Sequence, residues 1–356
     1  LLEVWSWRSV FGLNVALVAI AIPAALRVVP ESSDPHAPRL DLVGALLTVL
    51  GLGLVVYSII EAPSAGWTDP RTLGGVVAGL AVLAGFVCWE LVSPHPMLDP
   101  RLFTYRAFAA GTLSITMQFF AFFGFIFLIL QYLQLALGQS AIVAAASLVP
   151  VALGLMPGAR VLAPRLVPRL GTRVVCTIGL LVAASALLLL SRLDGDSGYW
   201  VLLIGLVPLG LGMGMAMTPA TGAITEALPV EKQGVGSAMN DLARELGGAL
   251  GIAVLGSILQ SVYQAHLTLP GLPEPVIQQA RSSLGAAAHL GPQVQQAAQQ
   301  AFIDGMQLAF VYGAAVTALA AVAVWLLLRQ PRRTRPGHTE SQSHAGPICS
   351  SAPTVG

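Results

Sequence analysis

The chain is 356 residues long, 55% hydrophobic and only 10% charged, with a formal net charge of +1. A water-soluble domain of that size needs far more polar side chain to cover its surface, so this composition points to an integral membrane protein. The near-neutral balance offers no electrostatic footing for nucleic acid, and Cys88, Cys176 and Cys349 are too far apart for metal or redox spacing.

A helix needs about 20 apolar residues to cross the hydrocarbon core. In chain order, runs of that kind occupy 10–29, 42–60, 73–92, 108–136, 141–162, 174–191, 200–222, 235–263 and 306–328. They are continuously apolar rather than alternating, which predicts helices and not barrel strands. The fold class expected is therefore all-α integral membrane, with nine crossings.

Cytoplasmic loops collect arginine and lysine, so the loops test the span count. With a cytoplasmic C-terminus, the inside set is Arg27, Arg39, Arg101, Arg106, Arg160, Arg165, Arg169, Arg173, Lys232, Arg244, Arg329, Arg332, Arg333 and Arg335, against Arg8, Arg71, Arg192 and Arg281 outside. A miscounted helix would invert every loop upstream of it and scramble that asymmetry. The segment 266–304 reads as an external solvated loop whose Gln/Ala run at 293–300 has the alternative of a short amphipathic helix. The Ser-, Pro-, Thr- and His-rich tail, 329–356, reads as disordered and cytoplasmic.

Several features inside the spans are candidates for function. Glycines recur at four-residue spacing in Gly75/Gly79, Gly154/Gly158, Gly210/Gly214 and Gly247/Gly251, the pattern that lets helix backbones approach closely in lipid. Pro23, Pro150, Pro157, Pro208 and Pro219 fall within spans and predict bends. Gln118, Gln131 and Gln134 in the fourth span are expected on one polar face, because an amide in lipid leaves donors and acceptors unpaired. With Phe119, Phe120, Phe122 and Phe123 beside them, these side chains are the candidate lining of a route for an amphipathic or aromatic solute; the bland alternative is interhelical bonding and lipid-facing rings. In the loop 164–173, Arg169, Gly171 and Arg173 read either as membrane anchors or as a conformational lock. In the segment 230–251, Asn240 and Arg244 share a face just before Gly247, Gly248 and Gly251, a candidate gating element. Glu90 and Asp304 sit near helix ends, and no acid stands out for proton coupling. No nucleotide-binding loop, metal cluster or activated nucleophile is visible, so no enzyme and no cofactor are expected.

Ordered motifs carry a resemblance. The stretch WSWRSVFGLNV at 5–15, QYLQLALGQS at 131–140 followed by Leu148, Val149 and Pro150, RLGTR at 169–173, GLGMGMAMTPA at 210–220 and the glycines from 234 to 251 together resemble the fourteen-helix drug:proton antiporter family of the major facilitator superfamily. Ala16 stands where that family usually has proline, and Pro164 and Pro168 stand where its loop motif commonly has glycine and aspartate. The resemblance implies a multidrug efflux transporter of the plasma membrane, exporting amphipathic or cationic small molecules by alternating access in exchange for protons, monomeric when complete. It implies that residues 1–29 are the last helix of an N-terminal bundle, 30–92 a cytoplasmic loop and two extra linker helices, 108–328 the C-terminal six-helix bundle and 329–356 a cytoplasmic tail. Because the chain opens on Leu1 inside a motif, it reads as a fragment covering helices six to fourteen. A metabolite transporter of the same fold and a transport-incompetent membrane scaffold are the competing readings.

Overall fold

The computed structural model describes residues 8–28, 41–94, 96–195, 197–229 and 232–328, and among these every regular element is helical. The order is α1 (Arg8–Val28), α2 (Leu42–Ala65), α3 (Pro70–Val92), α4 (Arg106–Gln131), α5 (Ala141–Ser147), α6 (Val149–Pro157), α7 (Ala163–Leu190), α8 (Tyr199–Glu226), α9 (Gln233–His266), α10 (Glu274–Ser282), α11 (Leu284–Ala287) and α12 (Pro292–Leu327). Local chemistry sets several starts. Asp41 accepts the Gly44 N–H at 2.8 Å, and Asp69 accepts the Arg71 N–H at 2.8 Å with Pro70 in the first turn, where its missing N–H costs nothing. Pro150 ends α5 after Ser147, and single wide π turns follow α4 at Tyr132–Ala136 and α6 at Gly158–Leu162.

Among the described residues, eight helical stretches are long and apolar enough to cross a membrane. One of them, Ala141–Leu190, runs for 50 residues, about 75 Å at the helical rise, against about 30 Å of hydrocarbon. It is two crossings, not one. Gly171 interrupts it with φ 81° and ψ 157°, a backbone region that essentially only glycine enters. The packing on α8 fixes the directions. Gly154 meets Val207 and Leu211, and Gly158 meets Leu211 and Met215, so α6 runs parallel to α8; Gly179 meets Gly212 and Ala216 while Leu190 meets Gly205, so α7 runs antiparallel. The chain therefore reverses within α7, at Gly171, which brings the eight stretches among the described residues to the nine crossings the apolar runs predict.

All four glycine pairs lie at helix crossings. Gly75 and Gly79 of α3 face Ser58, Val55 and the Gly51 carbonyl of α2; Gly247 and Gly251 of α9 lie on the Thr116 and Phe120 carbonyls of α4; Gly210 and Gly214 lie on Val151 and Leu155 of α6. Helices α4, α5–α6, α7, α8, α9 and α12 form one bundle. Its core falls into one cluster including Phe125, Leu187, Leu255 and Phe310, and a second including Phe108, Ile115, Ile224 and Val324. The hairpin α2–α3 docks beside α9, where Ser257 Oγ donates to the Ile59 carbonyl (2.7 Å) and Trp67 Nε1 to Ser261 Oγ (2.9 Å). Helix α1 carries an apolar stretch of which no residue is buried.

The expected solvated loop at 266–304 is corrected. It folds into α10, α11 and the opening turns of α12, which starts at Pro292 after Gly291 (φ 109°) and carries the Gln/Ala run directly into the membrane helix. Burial explains why: Val294, Ala298 and Ala301 are enclosed, Tyr263 Oη donates to the Ala280 carbonyl (2.7 Å) and Gln299 Nε2 to the Ala136 carbonyl (3.1 Å). At 36 residues, α12 is about 54 Å long and stands clear of the bilayer on one side. The expectation for the tail, 329–356, falls outside the described residues.

Two substitutions test the crossings. Gly210→Val drives a side chain into the Val151 carbonyl and is expected to destabilise the bundle by about 2 kcal/mol, read as a lower melting temperature in detergent; Gly53→Val, with nothing within 4 Å of the added Cβ, serves as the near-neutral control. Gly171→Ala is expected to cost about 1–3 kcal/mol in the same assay, whereas Gly138→Asn, at φ 67°, is tolerated because asparagine enters the left-handed region.

Candidate functional site

The fourth span carries most of the predicted site residues, and the structure separates them. Gln118 has no exposed surface; its Nε2 donates to both the Ser114 carbonyl and Ser114 Oγ at 3.0 Å, and its Oε1 has no hydrogen-bond partner. Gln131 is half-buried at the other end of α4, where Nε2 donates to the Phe127 carbonyl (3.1 Å). Gln134 lies in the π turn that follows, also half-buried. The single polar face expected from the sequence is therefore not formed. Thirteen residues at 3.6 per turn leave Gln118 about 140° around the helix from Gln131, and the π turn shifts the register again before Gln134.

What α4 does present is a stripe of aromatic rings. Phe119, Phe123 and Phe127 recur every fourth residue; Phe119 and Phe123 have ring centroids 5.9 Å apart, and Phe122 stands edge-on to Phe123 at 5.7 Å. Phe123 and Phe127 are exposed and Phe119 and Phe122 half-buried, whereas Phe120 points into the core. The rings lie on α9 because glycines there leave room: a Cβ at Gly248 would meet the Phe123 ring at 3.0 Å, and one at Gly256 the Phe127 ring at 3.0 Å. Phe127 and Gly256 escape the sequence reading, and Gly248 is read there only as part of the segment after Arg244. The four-residue spacing of Phe119, Phe123 and Phe127 with Gly248 and Gly256 is the signal that would have found them.

Each end of the stripe is polar. At one end the Arg244 guanidinium sits 5.3 Å over the Phe119 ring, with Nε buried and without a hydrogen-bond partner. At the other end Gln131 and Phe127 open into a cavity of about 260 Å³, walled by Ile60 and Pro63 of α2 and by Ser257 and Gln260 of α9. The Asn240/Arg244 pair divides its attention: Asn240 Oδ1 accepts from Thr221 Oγ1 of α8 (3.1 Å), while Arg244 faces α4, so the two tie α9 to different neighbours.

The remaining predicted residues meet at the Gly171 reversal. Arg173 donates from Nε to the Trp325 carbonyl (2.8 Å) and stacks its guanidinium 3.6 Å over the Trp325 ring, joining α7 to the end of α12; Arg169 is exposed. Gly171, Arg173 and Trp325 line a cavity of about 620 Å³ together with Arg106 and Thr172. At the opposite end of the bundle, His266 Nδ1 and Asp304 Oδ2 are 3.0 Å apart beside a cavity of about 670 Å³ that Arg192 and Gln307 also line.

A multi-pass helical membrane protein with glycine-sealed helix crossings and a neutral aromatic stripe between polar ends has the build of a small-molecule transporter rather than of an enzyme. Comparison with known proteins agrees: the profile of the Major Facilitator Superfamily matches residues 1–252, and the chain belongs to that superfamily. It is 31% identical over 347 residues to a multidrug resistance protein of Mycobacterium tuberculosis, covering 91% of this chain and 64% of that protein. It is 31% identical to the tetracenomycin C resistance and export protein of Streptomyces glaucescens, covering 91% of this chain and 63% of the relative. A methyl viologen resistance protein of Salmonella typhimurium is likewise 31% identical, over 92% and 66%. The chain spans a little under two thirds of the length of these curated relatives.

The Arg173–Trp325 contact gives a direct test. Arg173→Lys removes both the stacked plane and the Nε donor, and is expected to lower the melting temperature nearly as far as Arg173→Ala, a loss of about 1–2 kcal/mol; full retention by lysine would show that only the charge matters.

Proposed function

We propose that this chain supplies the C-terminal two-thirds of a proton-coupled exporter of amphipathic, aromatic or cationic small molecules that works by alternating access in the plasma membrane. In this reading α1 closes the N-terminal bundle, α2 and α3 are the linker helices, 108–328 is the C-terminal bundle, and the tail lies in the cytosol as the arginine distribution requires. The working unit is a monomer, with protons as the coupling ion.

The observation that carries the proposal is the Phe119–Phe123–Phe127 stripe on α4, with Phe122 beside it and Gln131 and Gln134 at its outer end. Rings offer a π face to a flat aromatic or an organic cation without dictating its shape, and the glutamines supply a neutral donor and acceptor. Arg244 and Asn240 tie α9 to α4 and α8 at the inner end, and Arg169, Gly171 and Arg173 set the reversal on the same side; helices that rock against one another must pass through these contacts. Gln118, enclosed beside Ser114, acts on this surface through α4 rather than by touching a solute in this conformation. The names of similar proteins, which refer to resistance to methyl viologen or puromycin and export of tetracenomycin C, suggest the probes.

Inverted vesicles containing the complete protein should accumulate methyl viologen when the lumen is acidified, and lose it on adding a protonophore. Phe123→Ala and Gln131→Ala should each weaken transport by about 3–10-fold, the worth of one ring or amide contact. Accumulation that ignores the pH gradient would refute proton antiport, and unaltered transport in both variants would remove the stripe from the substrate path.

A further inference from the structure

Sequence places Glu90 near a helix end and draws nothing from it, but the structure encloses it. Glu90, in the last turn of α3, is 1% exposed. Its Oε2 accepts the Leu98 N–H at 3.1 Å, and its Oε1 is buried with no hydrogen-bond partner. That free oxygen is aimed at Gly44 in the first turn of α2. A Cβ on Gly44 would stand 2.5 Å from Glu90 Oε1 and 2.9 Å from Asp41 Oδ2, so these two carboxyl oxygens lie within about 5.4 Å of each other. Only glycine leaves this notch open.

Asp41 already has its donors: Gly44 N–H at 2.8 Å and Trp89 Nε1, at 2.9 Å to Oδ2 and 3.1 Å to Oδ1. The other charged groups on this end of the hairpin, among the described residues, are Asp99, a further acid acting on Glu90, and Arg101, whose Nη2 is turned to the Leu91 carbonyl at 3.4 Å. Among the described residues no cation answers the second carboxyl. Enclosure of Glu90, with the Asp41 carboxylate nearby, disfavours its ionised form, and a single proton relieves this by turning the orphan oxygen into a donor.

We infer that Asp41 and Glu90 form a proton-binding pair in the α2–α3 hairpin, holding one proton between them on Glu90. The site lies outside the six-helix bundle and away from the aromatic stripe, and it does not depend on the exporter reading, because its readout is the proton and not a substrate. Protonation removes the repulsion between Glu90 and Asp41 while Oε2 still accepts the Leu98 N–H; ionisation would set Glu90 against Asp41 at that end of the hairpin.

Infrared difference spectroscopy of the purified chain in detergent at neutral pH tests this through the carbonyl stretch of a protonated carboxyl. The wild type should show the band, and Glu90→Gln should lose it while keeping the wild-type melting temperature, since the amide imitates the protonated acid. Asp41→Asn should weaken or shift it, because it removes one of the like charges that add to burial in disfavouring ionised Glu90. A band untouched by Glu90→Gln would overturn the assignment, and one untouched by Asp41→Asn would overturn the pairing. Loss of the wild-type band on adding sodium at constant pH would show a metal-cation site instead. Gly44→Ala presses a methyl against both oxygens and should shift the band; an unshifted band there would contradict the geometry even if Glu90→Gln failed to fold.

Discussion

Backbone-to-backbone contact at glycine is the constraint on which the rest of this structure depends. In lipid, apolar side chains gain little by leaving one apolar surroundings for another, so helices associate where their backbones come close enough for dispersion contacts to accumulate. Helix α8 shows this on two sides. Gly210 and Gly214 meet α6, Gly212 meets Gly179 of α7, and the opposite directions of those two neighbours follow from the same contacts. Helix α9 repeats the device against α4 through Gly247 and Gly251, and the glycines one and five residues beyond, Gly248 and Gly256, give room for the rings of the stripe. One feature thus seals the bundle and shapes the surface assigned to substrate.

Polar contacts are spent at the ends, where the chain leaves the membrane. Tyr132 Oη on the Asp194 carbonyl (2.6 Å), Gln307 on the Leu193 carbonyl (2.8 Å) and Tyr263 on the Ala280 carbonyl (2.7 Å) fasten the connections on one side. Arg173 with Trp325, and Asn240 with Thr221, fasten the other. The middle is left to glycine, alanine and aromatic packing, with the Ser114–Gln118 bond as the main polar exception on α4. Helices held at their ends and smooth in between suit the rigid-body tilting that the proposed function asks of the bundle, since end contacts can exchange while the glycine crossings persist.

Much of the fold was legible in the residues because the bilayer restricts the choices so strongly. Apolar length gave the crossings, arginine placement gave a consistent span count, and the four glycine pairs all fell at helix interfaces. The site was less legible, for reasons that are geometric. Placing Gln118, Gln131 and Gln134 on one face treated amide chemistry as a guide to direction, whereas the helical angle and the π turn after α4 send them different ways. The loop expected at 266–304 failed because composition records polarity but not burial: the alanines of the Gln/Ala run pack beneath its glutamines. Glu90 was overlooked since a carboxylate near a helix end ordinarily reaches water, whereas here it is enclosed with the Leu98 N–H on its Oε2.

The account stands most directly on the chain reversing at Gly171 and crossing the membrane once between that turn and the start of α8. With Cys88, Cys176 and Cys349 replaced, single cysteines at Thr172 and Ser197 can be labelled with a membrane-impermeant thiol reagent in intact and in permeabilised cells. Labelling of position 197 in intact cells and of position 172 only after permeabilisation is the predicted result; labelling of both positions from the same side would contradict it.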